Sequence, residues 1–180
     1  AFGPVILVSL SQVDPAGVLH VGPQSAGADP GPIIYGKGGE QITVTDAHAL
    51  LGRLDPQYFL GGNIPLDPDL AVAPMTELAS KLGLPIPRAV AGILELTNAN
   101  IERALRRVSI ARGHDPRDFT LVAFGGAGPL HACQVAQRLQ IPRVLVPPHP
   151  GVLCALGLLM SDVIFETSRG GRRRHADCGH

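Results

Sequence analysis

The chain has 180 residues in which 15 Lys and Arg balance 15 Asp and Glu, so it lacks the basic excess with which nucleic-acid binders grip a phosphate backbone. Hydrophobic residues make up 45% of it, the level of a folded chain rather than a disordered one. The longest apolar-rich run, Val152–Met160, falls far short of the ~20 residues a membrane span needs, and no charged segment precedes an apolar one as in a secretory leader. A soluble, cytoplasmic protein with no nucleic-acid and no membrane partner is expected.

Glycine and proline are abundant (22 and 17) and clustered, and aromatics are only 4% with no Trp. Many sharp loops between short elements follow, around a core of Leu, Val, Ile and Ala. Cys133, Cys154 and Cys178 form no CxxC pair, which points to reduced thiols rather than a disulfide framework or a zinc ribbon.

In chain order, Val5–Leu10 suits a strand. Residues 14–66 are dominated by turn signals such as Asp29-Pro30-Gly31-Pro32 and Gly36-Lys37-Gly38-Gly39. Between them lie a short β-like piece, Ile42–Val44, and a helical piece, Ala47–Leu54, with Thr45-Asp46 as its N-terminus. From Pro87 to Arg112 apolar residues recur at three- and four-residue spacings, with Gly113 as a stop and Glu102–Arg106 as an i,i+4 pair. Strand Phe119–Phe124, turn Gly125–Gly128, helix Pro129–Leu139, strand Arg143–Val146 and helix Gly151–Met160 then alternate, the order of an α/β fold with a parallel sheet. Val163–Phe165 suits a further strand, and residues 169–180, RGGRRRHADCGH, a disordered basic tail. The organisation expected is a turn-rich part over 1–86, a helix plus strand-turn-helix subdomain over 87–168, and the tail.

The sharpest local feature is Phe124-Gly125-Gly126-Ala127-Gly128-Pro129-Leu130-His131. Glycines between a strand and a helix let the backbone approach a ligand, and the helix N-terminus offers amides and a positive dipole end to a phosphate. The spacing is neither GxGxxG nor GxxxxGK[ST], so nucleotide contact and a plain turn both remain open. His131, in the first turn of that helix, is either a packed residue or a catalyst. Asp29 and Asp46, on turns flanked by Gly, Ser and Thr, either act catalytically, holding Mg²⁺ through water or orienting a hydroxyl, or cap turns and helices, and from the residues alone capping prevails. Cys133 and Cys154 lie on apolar helix faces, so buried thiols are expected.

Three segments, VGPQSAGADPGPIIYGKGG, TVTDAHALLGRLDPQYFLGG and FGGAGPLHACQVAQRLQIPRVLVPPHPGVLCALGLLMSD, resemble the hydantoinase A/5-oxoprolinase family from about Asp14 to Asp162. The resemblance implies part of an actin-like, sugar-kinase-like ATPase domain, α/β with a mixed sheet and packed helices. It implies ATP and Mg²⁺ as cofactors, ring opening of cyclic amides such as hydantoins or 5-oxoproline, and a hydantoinase B-type subunit or domain as partner. Ketone carboxylase subunits and sugar-kinase-like phosphotransferases are the related alternatives, and a non-catalytic scaffold, with self-association possible, is the unrelated one. By the same resemblance Gly125, Gly126 and Gly128 contact the nucleotide, and Asp29 and Asp46 face the cleft. His48 stands where the family pattern has Asn. The family's N-terminal phosphate loop is not found in this chain, so an incomplete domain is expected.

Overall fold

The computed structural model describes residues 8–162. Strand β1 (Ser9–Val13) pairs antiparallel with β2 (Leu19–Ser25), matching Val13 to Leu19 and Ser11 to Val21, with a bulge between Ser9 and Ser11. Asp14 closes the connecting turn. Its Oδ1 accepts from the amides of Ala16 and Val18, and its Oδ2 lies 2.9 Å from His20 Nε2; these contacts, led by His20, lower its pKa below the usual carboxylate value. The expected strand Val5–Leu10 is thus realised later in the chain, with residues 5–7 outside the described ones. Strand β2 falls where only turns were expected. Gly22-Pro23 breaks its sequence signal, yet proline is tolerated because β1 is its only partner strand among the described residues.

Helix α1 (Val44–Leu50) has its N-cap at Thr43, two residues before the expected Thr45, and ends before the expected Leu54. Thr43 and Asp46 form a reciprocal capping box, Thr43 Oγ1 accepting from the Asp46 amide and the Asp46 carboxylate from the Thr43 amide. Of the β-like piece Ile42–Val44, only Thr43 makes a bridge, with Leu10. Asp67 caps a 3₁₀ turn, Pro68–Ala71, that runs directly into α2 (Val72–Lys81), an element with no counterpart in the sequence reading.

Helix α3 (Ile86–Val108) has 23 residues, with Pro87 in its first turn, where a missing amide costs no hydrogen bond. It ends before the expected Arg112 in a 3₁₀ turn, Ile110–Arg112, closed by Gly113 at φ 81°. The α3 face bearing Ala89, Val90, Ile93, Leu94, Thr97 and Asn98 is buried. It packs on α1, α2, β2 and α4. The core it closes includes Ile34, Val44, Met75 and Ile93, all fully buried.

Strands β3 (Thr120–Val122) and β4 (Arg143–Leu145) are parallel, Leu121 facing Val144, and are joined by α4 (Gly128–Leu139). The expected strand-turn-helix-strand order is observed. Glu102 receives Arg106 on its own helix and Arg138 from α4, each at 2.9 Å, which fastens α4 to α3. A further 3₁₀ turn, Pro150–Val152, leads to α5 (Leu153–Met160).

Cys133 and Cys154 are exposed, which corrects the expectation of buried thiols. On α4 the inward positions go to His131, Ala132, Val135, Ala136 and Leu139, and α5 has no buried residue at all. The architecture is α/β, with antiparallel and parallel strand pairs packed by helices. Among the described residues no helix is long and apolar enough to cross a membrane. The strand expected at Val163–Phe165 and the basic tail lie outside the described residues.

Candidate functional site

At the carboxyl end of β3 the chain turns into α4 through Phe124–Ala127, the position where parallel α/β units bind ligands. The turn is anchored on both sides. The Ala123 amide donates to Leu145 O at 2.9 Å, and the Gly125 amide to Pro150 O at 2.8 Å.

Each glycine has its own reason to be there. Gly125 has φ +80°, a conformation that strains any residue with a Cβ. A Cβ on Gly126 would meet no atom within 4 Å, so the space beside it is open to a ligand. A Cβ on Gly128 would lie 3.5 Å from the Ala123 carbonyl carbon, which reflects the close approach of α4 to the strand. The N-cap, Ala127, offers no side-chain hydrogen bond to the first turn of α4.

Beside this turn lies a cavity of about 530 Å³. Ile101, Ala104 and Leu105 of α3 form one wall, and β3, the glycine turn and α4 form the others. The lining is apolar apart from backbone and His131. Gly125, Gly126, Gly128 and His131 therefore share one cavity, and Asp29 and Asp46 do not line it.

His131 is only 3% exposed and His48, on α1, is fully buried. Their Nε2 atoms are 3.3 Å apart, and His131 Nδ1 lies 2.8 Å from Asn98 Oδ1 on α3. Burial disfavours the charged imidazolium. It lowers both rings from 6.5 to about 4, with the Arg53 guanidinium acting in the same direction and, for His48, its neighbour His131 as well. Both rings are neutral near pH 7.

Asp46 is fully buried too. Its Oδ1 accepts from the Ile34 amide at 3.0 Å, and its Oδ2 from the Thr43 amide at 2.8 Å and the Thr43 hydroxyl at 2.7 Å. Burial nevertheless raises its pKa above the usual carboxylate value, the hydrogen bonds opposing that shift. The carboxylate is enclosed in the core rather than open to a cleft, and it ties α1 to the turn that follows Asp29-Pro30-Gly31-Pro32. Asp29 itself is exposed on that turn.

Among the described residues no three His, Cys, Asp or Glu side chains converge as a metal site. His149, before the 3₁₀ turn that leads to α5, is exposed with a left-handed backbone, φ 52°. The contact of His48 with His131 is legible in no local motif, because 83 residues separate the two rings. The Thr43 cap had a signal, Thr43-x-x-Asp46, which matches the capping-box spacing.

The model of the family described as Hydantoinase/oxoprolinase matches residues 8–167. Caprolactamase subunit alpha of Pseudomonas jessenii is 44% identical over 159 residues, covering 88% of this chain and 23% of that protein. The crystal structure of the ATP-dependent caprolactamase from that organism superposes with a TM-score of 0.79, over 87% of this chain and 23% of that one. A nucleotide-free acetone carboxylase structure gives a TM-score of 0.78 at 32% identity, covering 84% of this chain and 22% of that one. The 5-oxoprolinase of Dictyostelium discoideum is 36% identical, covering 84% of this chain and 13% of its own length. The chain thus spans about a quarter or less of the relatives it matches. With a family model matched over most of its length and the same fold in two solved relatives, the chain belongs to the hydantoinase/oxoprolinase family.

Proposed function

We propose that this chain is the nucleotide-contacting part of an ATP-dependent hydrolase that opens cyclic amides. The observation that carries the reading is the open glycine turn, Gly125–Gly128, set at the N-terminus of α4 against an apolar cavity. ATP fits these residues. The space beside Gly126 admits a ligand, the amides and dipole of α4 favour phosphate, and the wall of Ile101, Ala104 and Leu105 suits an apolar ring face. When bound, ATP would supply a phosphoryl group to the amide oxygen, making the carbon, which resonance keeps a poor electrophile, open to attack by water.

The chain's own residues bind and orient. Gly125, Gly126 and Gly128 hold the nucleotide, and neutral His131 closes the inner side of the cavity without carrying charge. Asp46 is a positioning residue for the turn Ile33–Tyr35 that follows Asp29-Pro30-Gly31-Pro32, and Asp29 is the exposed carboxylate of the pair. Mg²⁺ does not fit Asp46 as a direct ligand, because both of its oxygens already accept hydrogen bonds in the core, and no ligand set for it is assigned in this chain.

A second subunit or domain of the B type is the proposed partner. The description "subunit alpha" of the caprolactamase relative supports it. The similarity to acetone carboxylase supports a second reading, in which the same nucleotide site serves a ketone carboxylase.

Titration calorimetry with ATP and Mg²⁺ tests the site. Binding by the unmodified protein and its loss in Gly126→Val, with an unchanged circular dichroism spectrum, is the expected result. A folded protein that binds no nucleotide, or a Gly126→Val variant that binds normally, refutes the reading. Phosphate release measured with 5-oxoproline, hydantoin or caprolactam, against acetone with bicarbonate, separates hydrolysis from carboxylation.

A further inference from the structure

Three helices meet at one buried polar chain. Asn98 on α3 donates from Nδ2 to Gln134 Oε1 at 2.8 Å, which leaves its Oδ1 to accept from His131 Nδ1 at 2.8 Å. His131 Nδ1 therefore carries the proton, and its Nε2 is a bare lone pair. The atom 3.3 Å from that lone pair is His48 Nε2 on α1, which must then be the donor. The rings stand edge to face, with centroids 4.9 Å apart and planes at 73°.

His48 Nδ1 is left as a buried lone pair with no partner among the described residues. The reversed chain would bury an orphaned N–H at the same place, and unpaired donors are rarer in folded proteins than under-used acceptors. Burial and the nearby Arg53 guanidinium keep both rings neutral, as this chain of donors and acceptors requires.

His131 is three residues beyond Gly128 and lines the glycine cavity. We infer that His48 is a positioning residue: by donating its Nε2–H to His131 it fixes that ring's tautomer and holds the α4 end of the nucleotide cavity against α1. The inference rests on the nucleotide reading above and extends it to a residue outside the cavity lining. It also links the cavity to α1, whose Asp46 holds the Ile34 amide in the 3₁₀ turn Ile33–Tyr35 that follows the Asp29 turn.

The test combines a spectroscopic signature with a rescue. In ¹⁵N-histidine spectra of the unmodified protein, His131 is expected in the Nδ1–H form and His48 in the Nε2–H form. Neither ring should titrate between about pH 8 and 5.5, because burial holds them neutral. Removing the donor with His48→Leu is expected to weaken Mg-ATP binding about tenfold or more. His48→Gln, whose amide can donate from a similar reach, should recover affinity to within about threefold.

Either ring in the opposite tautomer, or a ring titrating near its ordinary value, overturns the inference even if the His48→Leu variant fails to fold. Normal affinity in His48→Leu alongside lost binding in Gly126→Val overturns the inference and leaves the nucleotide reading standing. No Mg-ATP binding by the unmodified protein overturns the nucleotide reading and the coupling to it.

Discussion

Replacing Asp46 by alanine removes the acceptor of three hydrogen bonds in the core, from the amides of Ile34 and Thr43 and from the Thr43 hydroxyl. Both amides belong to buried residues, since Ile34 and Thr43 are each fully enclosed. A buried donor left unpaired costs about 1–3 kcal/mol, and here two buried amides lose their acceptor while the Thr43 cap on the residue-46 amide stays. Burial, which raises the pKa of Asp46, offsets part of what its hydrogen bonds contribute. A net loss of roughly 3–5 kcal/mol is therefore expected, a large share of the stability of a small domain. Urea unfolding followed by circular dichroism at 222 nm reads it as a lower midpoint with unchanged slope.

Asp46→Asn keeps the shape but turns one acceptor into a donor, so it should lose less than Asp46→Ala. It also reveals the pH dependence. The raised native value means that the protonated carboxyl contributes stability that is complete below the unfolded value of about 3.9 and lost as pH rises through the native value. The advantage of the unmodified protein over Asp46→Asn should thus grow as pH falls through that window. An Asp46→Ala variant within about 0.5 kcal/mol of the unmodified protein would show that these hydrogen bonds do not hold the fold.

The histidine pair has the opposite sign. Both rings are lowered from 6.5 to about 4, so their contribution is full above pH 6.5 and is lost as pH falls toward 4. Denaturation midpoints measured across that range should fall by an amount that His48→Gln reduces, at a scale of roughly 3 kcal/mol per ring. Gly39→Ala should destabilise by about 2 kcal/mol or more, because its Cβ would lie 2.5 Å from Gly31 O and 3.1 Å from the Pro32 carbonyl carbon; a midpoint unchanged in thermal unfolding would refute this packing. Ile93→Ala, at a fully buried position of α3, should cost about 2–5 kcal/mol in the same assay.

The β3–α4–β4 unit was legible because period, glycine turn and second strand follow one another without interruption. The start of α1 was misplaced by two residues because Thr43 and Thr45 are both plausible caps, and only the partner at Asp46 distinguishes them. Helix α2 was hidden by the 3₁₀ turn before it, whose Asp67-Pro68-Asp69 suggests a loop. Cys133 shares α4 with five inward residues, and which side faces α3 depends on docking rather than on composition. The glycine turn was visible as a motif. The His48–His131 bond was not, because it exists only once α1 and α4 are brought together on α3.

Helix α3 is the shared wall of two structures, the core beneath the Asp29 turn and the side of the cavity. Its tolerance to substitution is consequently uneven along a single stripe. Arg88, Ala91, Glu95 and Arg103 point to solvent and can vary freely in size. Ile93, Leu94, Thr97, Asn98 and Ile101 lie on its inward side. A change in volume there must be absorbed by α1, α2 or α4, so in a deep mutational scan this stripe would stand out as a 3.6-residue rhythm of intolerance across the middle of the chain.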